Sequence, residues 1–212
     1  MQADPFQVVR DFEKAIAAYC GAKEAISCAS CTAALLLALL WVKRKRGPLT
    51  ITIPKRTYIG VGMSILNAGH DIAFDDRKWL GWYRLEPLEL WDSARFLSGG
   101  MCDTLPAGYF VCLSLHWSKT LSVSQGGVIL CDNAEAADFL RRARFDGRRE
   151  GVHPKDDTFD ILGQHCYMAP ATAAEALTRL ALLPRINMPL PNSDYSDISL
   201  APIFQSQGKT PA

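Results

Sequence analysis

Short apolar segments rich in β-branched residues alternate along this chain with longer segments of helical period, and this alternation constrains the fold most. Strands separated by helices favour a sheet with both faces covered, because parallel neighbours need a crossover between them. The sequence therefore predicts an α/β fold, a three-layer α/β/α sandwich with a mainly parallel sheet. Helices are predicted over residues 5–20, 32–45, 58–68, 134–145 and 169–183, and strands over 24–28, 49–53, 71–74, 88–92, 109–114 and 127–131.

Length and charge narrow the class of protein. The chain has 212 residues, 49% of them hydrophobic, which is enough for one domain with a sizeable core. We expect a single α/β domain over residues 1–183 and an extended C-terminal tail over 184–212, where proline, serine and aspartate accumulate. A net charge of +1 argues against nucleic acid or a membrane as partner. The N-terminal residues lack the pattern of a signal peptide, so we expect a cytoplasmic protein.

Seven cysteines, an odd number and several within predicted strands, are typical of reduced, buried thiols. Cys28 and Cys31 have the spacing of a zinc-binding pair, but no second pair with suitable spacing exists to complete a site. We therefore expect no metal and interpret this pair as packing at the end of a strand.

Polar side chains follow three of the predicted strands. Ser114 ends one strand with Lys119 just beyond it, Asp92 ends another, and residues 29–32 join a third to a helix that starts at Thr32. In open α/β sheets, ligands bind at the carboxyl ends of the strands. An amine, a carboxylate and a helix N-terminus for a phosphate are the three groups that pyridoxal phosphate (PLP) requires.

The order of these segments resembles the DegT/DnrJ/StrS-type sugar aminotransferases, a family of PLP enzymes of fold type I. The resemblance covers residues 12–183 with one large gap. The matching segments are Phe12-Glu13-Lys14, Gly21-Ala22-Lys23, residues 29–35, Pro54-Lys55-Arg56-Thr57-Tyr58, Trp91-Asp92-Ser93-Ala94, residues 113–119, Ser124-Gln125-Gly126-Gly127, residues 141–147 and His165-Cys166-Tyr167-Met168.

The resemblance implies roles for individual residues. Lys119 would be the Schiff-base lysine and Asp92 the partner of the pyridinium nitrogen, and these two are the expected catalytic residues. His165 would reach the cofactor of a neighbouring subunit, because family active sites lie at a dimer interface. The resemblance thus implies a homodimer with shared sites. The expected cofactor-binding residues are Cys31, Thr32, Tyr58, Asp92, Arg95, Ser114, His116, Lys119 and His165.

The chain also departs from the family pattern. Cys31 stands where the family has the glycine of its phosphate loop, and Arg95 stands where it has glutamine or histidine. Fifteen residues between Asp76 and Asp92 replace a whole strand-helix-strand stretch, and the family's small C-terminal domain is nearly absent. We therefore expect the large domain of a fold type I enzyme, trimmed by one unit.

The implied function is transamination of a keto-sugar, nucleotide-linked, with an amino donor such as glutamate. The alternative is a catalytically weak or inactive protein that uses this scaffold to bind a sugar nucleotide or a partner protein. Five arginines near residue 145 would form a solvated helix end, or would bind the diphosphate of such a substrate. These are Arg141, Arg142, Arg144, Arg148 and Arg149.

The tail contains apolar residues for which the sequence shows no local core, and we expect them to dock on the other subunit. They are Leu190, Ile198, Leu200, Ile203 and Phe204.

Overall fold

The computed structural model describes residues 4–191 and 194–205. The order of its elements follows the sequence pattern closely, with one additional strand and three short helical turns. The helices are α1 (Gln7–Cys20), α2 (Cys31–Arg46), α3 (Ile59–Asn67), α4 (Ala134–Ala143), α5 (Pro170–Ala181) and α6 (Pro202–Gln205). The strands are β1 (Glu24–Cys28), β2 (Thr50–Pro54), β3 (Asp71–Asp75), β4 (Tyr83–Arg84), β5 (Leu90–Ser93), β6 (Phe110–Ser114) and β7 (Gly127–Cys131), and 3₁₀ turns cover Pro154–Asp156 and Ile198–Leu200.

The strands form a five-stranded sheet in the order β1-β7-β6-β5-β4 and a parallel pair, β2-β3. An antiparallel bridge between Thr52 and Glu86 joins the two, with backbone hydrogen bonds of 2.8 and 3.0 Å. Strands β1, β2, β3, β5 and β6 thus share one direction, as predicted. Strands β7 and β4 run against them, so three of the five strand pairs are antiparallel and the sheet is mixed in its hydrogen bonding.

The strand β4 was not predicted. It shows how the two parts of the sheet are joined where this chain is shorter than the family pattern. It lies in the interval between Asp76 and Asp92 and pairs with β5, while Glu86 just beyond it pairs with Thr52 of β2. Two residues of regular strand and one bridge therefore bring the two parts of the sheet together.

Each face of the sheet is covered by helices, which confirms the three-layer architecture. Side chains alternate along β6: Phe110 and Cys112 join the core beneath α2, α3 and α4, and Val111 and Leu113 join the core beneath α1 and α5. No helix among the described residues has the length and apolar character needed to cross a membrane.

A buried ion pair joins two of the segments on which the family resemblance rests. Arg144, just after α4, donates to the carboxylate of Glu13 on α1, and their side chains are only 2% and 6% exposed. Glu13 also accepts hydrogen bonds from the amide and hydroxyl of Ser27, at 2.8 and 2.7 Å. These residues therefore fix α1, β1 and the end of α4 to one another.

The tail packs on its own chain. Ile198 and Phe204 are buried, at 6% and 7% exposure, in the core beneath α3. The expectation that these two residues lack a local core is therefore wrong: the ring of Phe204 lies against Phe74, and it fills space that a side chain at Gly62 would take. Leu200 and Ile203 remain exposed, and residues 206–212 lie outside the described part of the chain.

Candidate active site

A cavity of about 540 Å³ lies where the carboxyl ends of β5 and β6 face the first turns of α2 and α3. It brings together eight of the nine residues expected to bind the cofactor. Those eight are Cys31, Thr32, Tyr58, Asp92, Arg95, Ser114, His116 and Lys119.

The first turn of α2 forms one wall of the cavity. Ser30 caps this helix, since its hydroxyl accepts a hydrogen bond of 3.1 Å from the amide of Ala33. The first N–H groups of a helix have no acceptor within it and bind anions well. A side chain at Gly127 would meet Ser30 at 2.3 Å, so the glycine allows β7 to hold this turn in place. The turn suits a phosphate group.

Lys119 lies on the turn after β6, where its amide donates to the carbonyl of His116 at 2.8 Å. Burial of the side chain lowers the pKa of the amine, and the nearby positive charge of Arg95 lowers it further. Cys31 and Asp92 act in the opposite direction. No salt bridge to Lys119 is formed by any carboxylate of residues 4–191 and 194–205. The result is an amine that loses its proton more readily than an ordinary lysine.

Asp92 is the next-to-last residue of β5, and only 5% of its surface is exposed. Burial raises the pKa of its carboxyl, and the amide of Ala94, the hydroxyl of Tyr83 and the charge of Lys119 partly oppose this. The Ala94 amide donates to Oδ1 of Asp92 at 3.0 Å, and the Sγ atom of Cys31 lies 4.0 Å from the same oxygen. A carboxylate in this position favours a positively charged partner in the cavity.

Three aromatic residues that the sequence did not reveal lie near Asp92, and two of them, Trp79 and Tyr195, line the cavity. Tyr83 faces Asp92 across the β4–β5 pair, and its hydroxyl is 2.7 Å from that of Thr57. Trp79 packs on Tyr83 with ring centroids 4.8 Å apart, and Tyr195 stacks on Trp79 at 6.0 Å and an interplanar angle of 22°. Trp79 and Tyr83 belong to the shortened interval and Tyr195 to the tail, where no family motif marks them.

Arg95 links the cavity to the tail. Its carbonyl accepts from the amide of Leu190 at 2.8 Å, and its guanidinium donates to the carbonyl of Pro191. This explains why an arginine can stand at a position where the family has glutamine or histidine: it anchors a segment of this chain. Its charge simultaneously acts on Lys119.

His165 is the one expected residue that does not line this cavity. Its Nδ1 atom is 2.6 Å from Oδ2 of Asp146, its ring contacts Tyr167, and its side chain is 69% exposed. The expected role at a neighbouring subunit's cofactor therefore remains a proposal.

None of the five arginines near residue 145 lines the cavity either. Four of them form ion pairs with carboxylates: Arg141 with Glu24, Arg142 with Asp160, Arg144 with Glu13 and Arg149 with Asp157. Arg148 lies over the ring of Phe145. The structure therefore favours a structural role for this cluster over binding of a diphosphate.

All seven cysteines are free, and five of them are buried; Cys31 and Cys166 are partly exposed. Burial raises the pKa of the Cys31 thiol. No group of metal-binding side chains occurs within the described ranges. Cys28 is buried in the core at the end of β1, and Cys31 packs against the same core.

The cavity fits PLP in three respects. The phosphate would meet the first turn of α2 with Thr32 and Ser114, the aldehyde would meet the amine of Lys119, and the ring nitrogen would meet the carboxylate of Asp92. The Cys31 thiol lies 4.0 Å from that carboxylate and 3.6 Å from the carbonyl of Cys112, so it is directed towards β5 and β6.

Comparison with known structures defines the class of protein. The fold is that of PLP-dependent aminotransferases of fold type I. The sugar aminotransferase CalS13 from Micromonospora echinospora is 18% identical, with a TM-score of 0.65, over 83% of this chain and 61% of that chain. DesV from S. venezuelae, solved with a ketimine intermediate, is 18% identical with a TM-score of 0.63 over 90% and 66%. NtdA from Bacillus subtilis, solved with the cofactor PMP, is 19% identical with a TM-score of 0.67 over 83% and 48%.

Residues 4–80 match the model of the DegT/DnrJ/EryC1/StrS aminotransferase family. The solved structures that share the fold include a second protein described as a member of that family, from Brucella abortus, which is 21% identical with a TM-score of 0.63 over 83% of this chain and 58% of that chain. The present chain spans about three fifths of the length of the first solved structures that it matches, CalS13 among them. No curated protein matches it in sequence.

Proposed function

We propose that this chain binds PLP covalently through Lys119 and transfers an amino group to a keto-sugar that carries a nucleotide. One observation carries the proposal: the amine of Lys119, with a lowered pKa, and the buried carboxylate of Asp92 share one cavity with the open N-terminus of α2. The match of residues 4–80 to the family model and the likeness of the fold to a sugar aminotransferase support the choice of substrate.

Each of these residues has a distinct task. The first turn of α2, with Thr32 and Ser114, binds the phosphate and so fixes the position of the cofactor. Tyr58, 55% exposed at the cavity, offers its ring for stacking on the cofactor. Asp92 keeps the ring nitrogen protonated by its negative charge. When bound, PLP supplies an electron sink for removal of a proton from the carbon next to the amino group.

Lys119 also acts as the general base that moves this proton. A base works best when its pKa lies near the working pH, because it is then both free of its proton and strong enough to take one. Burial and Arg95 shift the pKa of Lys119 in that direction. His116, whose Nδ1 atom lies 3.1 Å from the hydroxyl of Ser118, lines the cavity close to Lys119.

Covalent fixation of the cofactor tests the proposal. Wild-type protein incubated with PLP should be yellow, and borohydride followed by peptide mass spectrometry should place the cofactor on Lys119. Lys119→Ala should lose this fixation, whereas Lys78→Ala, an exposed lysine outside the cavity, should keep it. Fixation that persists in Lys119→Ala would refute the assignment. A colourless wild-type protein that binds a sugar nucleotide would support the alternative of an inactive binding protein.

We further propose a homodimer in which His165 lies near the partner subunit's cofactor. Its exposure and its contact with Asp146 leave the ring at the surface. Because PLP would then contact both subunits, cofactor and dimer should stabilise each other by mass action. Sedimentation across a dilution series should show tighter dimers with PLP than without it. A monomer that retains PLP at all dilutions would overturn this arrangement.

A further inference from the structure

The described parts of the C-terminal segment, residues 184–191 and 194–205, are anchored at two places on the body of the chain. On one side, the hydroxyl of Tyr19 donates to the carbonyl of Pro184 at 2.6 Å. On the other side, the amide of Ile198 donates to the carbonyl of Lys55 at 2.9 Å, and Phe204 is buried beyond it. Between the two anchors, the segment passes Arg95 and reaches the cavity at Tyr195.

Tyr195 is the last of three aromatic residues in contact that begin beside Asp92: its ring stacks on Trp79, and Trp79 packs on Tyr83 at an interplanar angle of 57°. Tyr83 is almost fully buried, at 4% exposure, and Trp79 and Tyr195 are partly exposed. The indole nitrogen of Trp79 donates to the carbonyl of Arg56 at 3.0 Å, which fixes the orientation of the middle ring. Trp79 and Tyr195 therefore form an aromatic wall of the cavity, which continues from the Tyr83–Asp92 pair.

The chemistry changes along this wall. The inner part contains Asp92, Lys119 and the helix N-terminus, which suit the cofactor. The outer part contains the rings of Trp79 and Tyr195, and Asp92 is the one carboxylate among the described residues that line the cavity. Aromatic side chains stack on the faces of other rings, such as those of nucleotide bases, in offset or edge-to-face arrangements. The outer part therefore suits a ring of the substrate that reacts at the inner part.

We propose that Tyr195 is a specificity-determining residue, which stacks with Trp79 on a ring of the sugar nucleotide that this site accepts. This inference rests on the proposed function for the identity of the substrate. It assigns recognition to a residue of the chain's own C-terminal segment, which lines the cavity from the same subunit.

Binding of UDP-glucose, followed by calorimetry and by tryptophan fluorescence on the PLP-loaded protein, tests this role. Tyr195→Leu keeps an apolar side chain but removes the aromatic face, and we expect its dissociation constant to rise about tenfold, as for the loss of one stacking contact. Tyr195→Phe keeps the face and should bind within about twofold of wild type. Leu200→Ala changes an exposed residue of the same segment, 67% exposed, and should bind like wild type.

Two further measurements decide how the result is interpreted. UMP and glucose 1-phosphate, titrated separately, should show which ring is contacted, because only the fragment that carries it should lose affinity in Tyr195→Leu. The melting temperature and the borohydride fixation of PLP should stay unchanged in all three variants, since Tyr195 contacts neither Lys119 nor the helix N-terminus.

Unchanged affinity of all three ligands in Tyr195→Leu would overturn the inference. So would a wild-type protein that fixes PLP on Lys119 but binds none of them, and in that case the proposed cofactor chemistry would stand. Conversely, a protein that fixes no PLP but loses UDP-glucose affinity in Tyr195→Leu would refute the proposed function and retain the role of Tyr195.

Discussion

Removal of the Glu13 carboxylate is expected to destabilise the fold strongly, because it leaves the buried charge of Arg144 without its buried partner. Arg144 is 98% buried, and its guanidinium donates to Glu13, to the carbonyl of Ser27 at 2.6 Å and to Glu150 at 2.8 Å. Glu150 is itself 33% exposed, so it compensates the arginine charge less well than Glu13 does. In Glu13→Ala, Arg144 would keep its buried charge but lose its buried partner.

The expected magnitude follows from these contacts. Breaking a buried ion pair by removing one partner costs about 3–5 kcal/mol, because the other charge stays uncompensated. The amide and hydroxyl of Ser27 would also lose their acceptor, which typically costs about 1–3 kcal/mol for a buried donor. These losses are not additive within one network, and the remaining pair with Glu150 reduces them. We therefore expect the free energy of unfolding to fall by about 4 kcal/mol.

Urea denaturation of the PLP-free protein at neutral pH measures this loss. Glu24→Ala is the matched control, because Glu24 also pairs with an arginine of the α4 region, Arg141, but both side chains are about one third exposed. Such a pair contributes about 0–1 kcal/mol. Equal, small losses in both variants would show that the Glu13 contact contributes no more than a surface pair, and would refute the reasoning from burial.

Three further changes have definite expected outcomes. Asp92→Asn should stabilise the PLP-free protein at pH 8 but not at pH 3. Burial raises the pKa of this carboxyl, so its ionised form costs stability as the pH rises through that range. The urea midpoints of wild type and variant should therefore differ at pH 8 and agree at pH 3. Phe204→Ala should lower the free energy of unfolding by about 3 kcal/mol and Leu200→Ala by less than about 0.5 kcal/mol, and equal urea midpoints for the two would contradict the packing of the tail on its own chain. A thiol reagent should modify Cys31 and Cys166 first in the native protein and all seven cysteines only after unfolding; fast modification of a buried thiol would count against the core described.

Much of the architecture was predictable because the relevant information is local. Gly21 ends α1 with a φ of +75°, a conformation that glycine adopts without strain, and the helix was predicted to end there. The strands and helices follow from the period of their apolar residues, which depends only on a short stretch of chain. The placement of Lys119, Asp92 and Thr32 around one cavity follows from a general property of α/β sheets, that strand ends on one edge lie together.

Only the tertiary structure decided how the shortened parts of this chain are completed. The strand β4 has two residues and gains its hydrogen bonds from β5, a partner that no local pattern in the sequence specifies. Tyr195 reaches the cavity because Ile198 and Phe204 find space in the core beneath α3, and Gly62 provides part of that space from more than a hundred residues away. Burial of apolar surface has no preferred direction along the chain, so the sequence could show that the tail must dock but not that it docks on its own subunit.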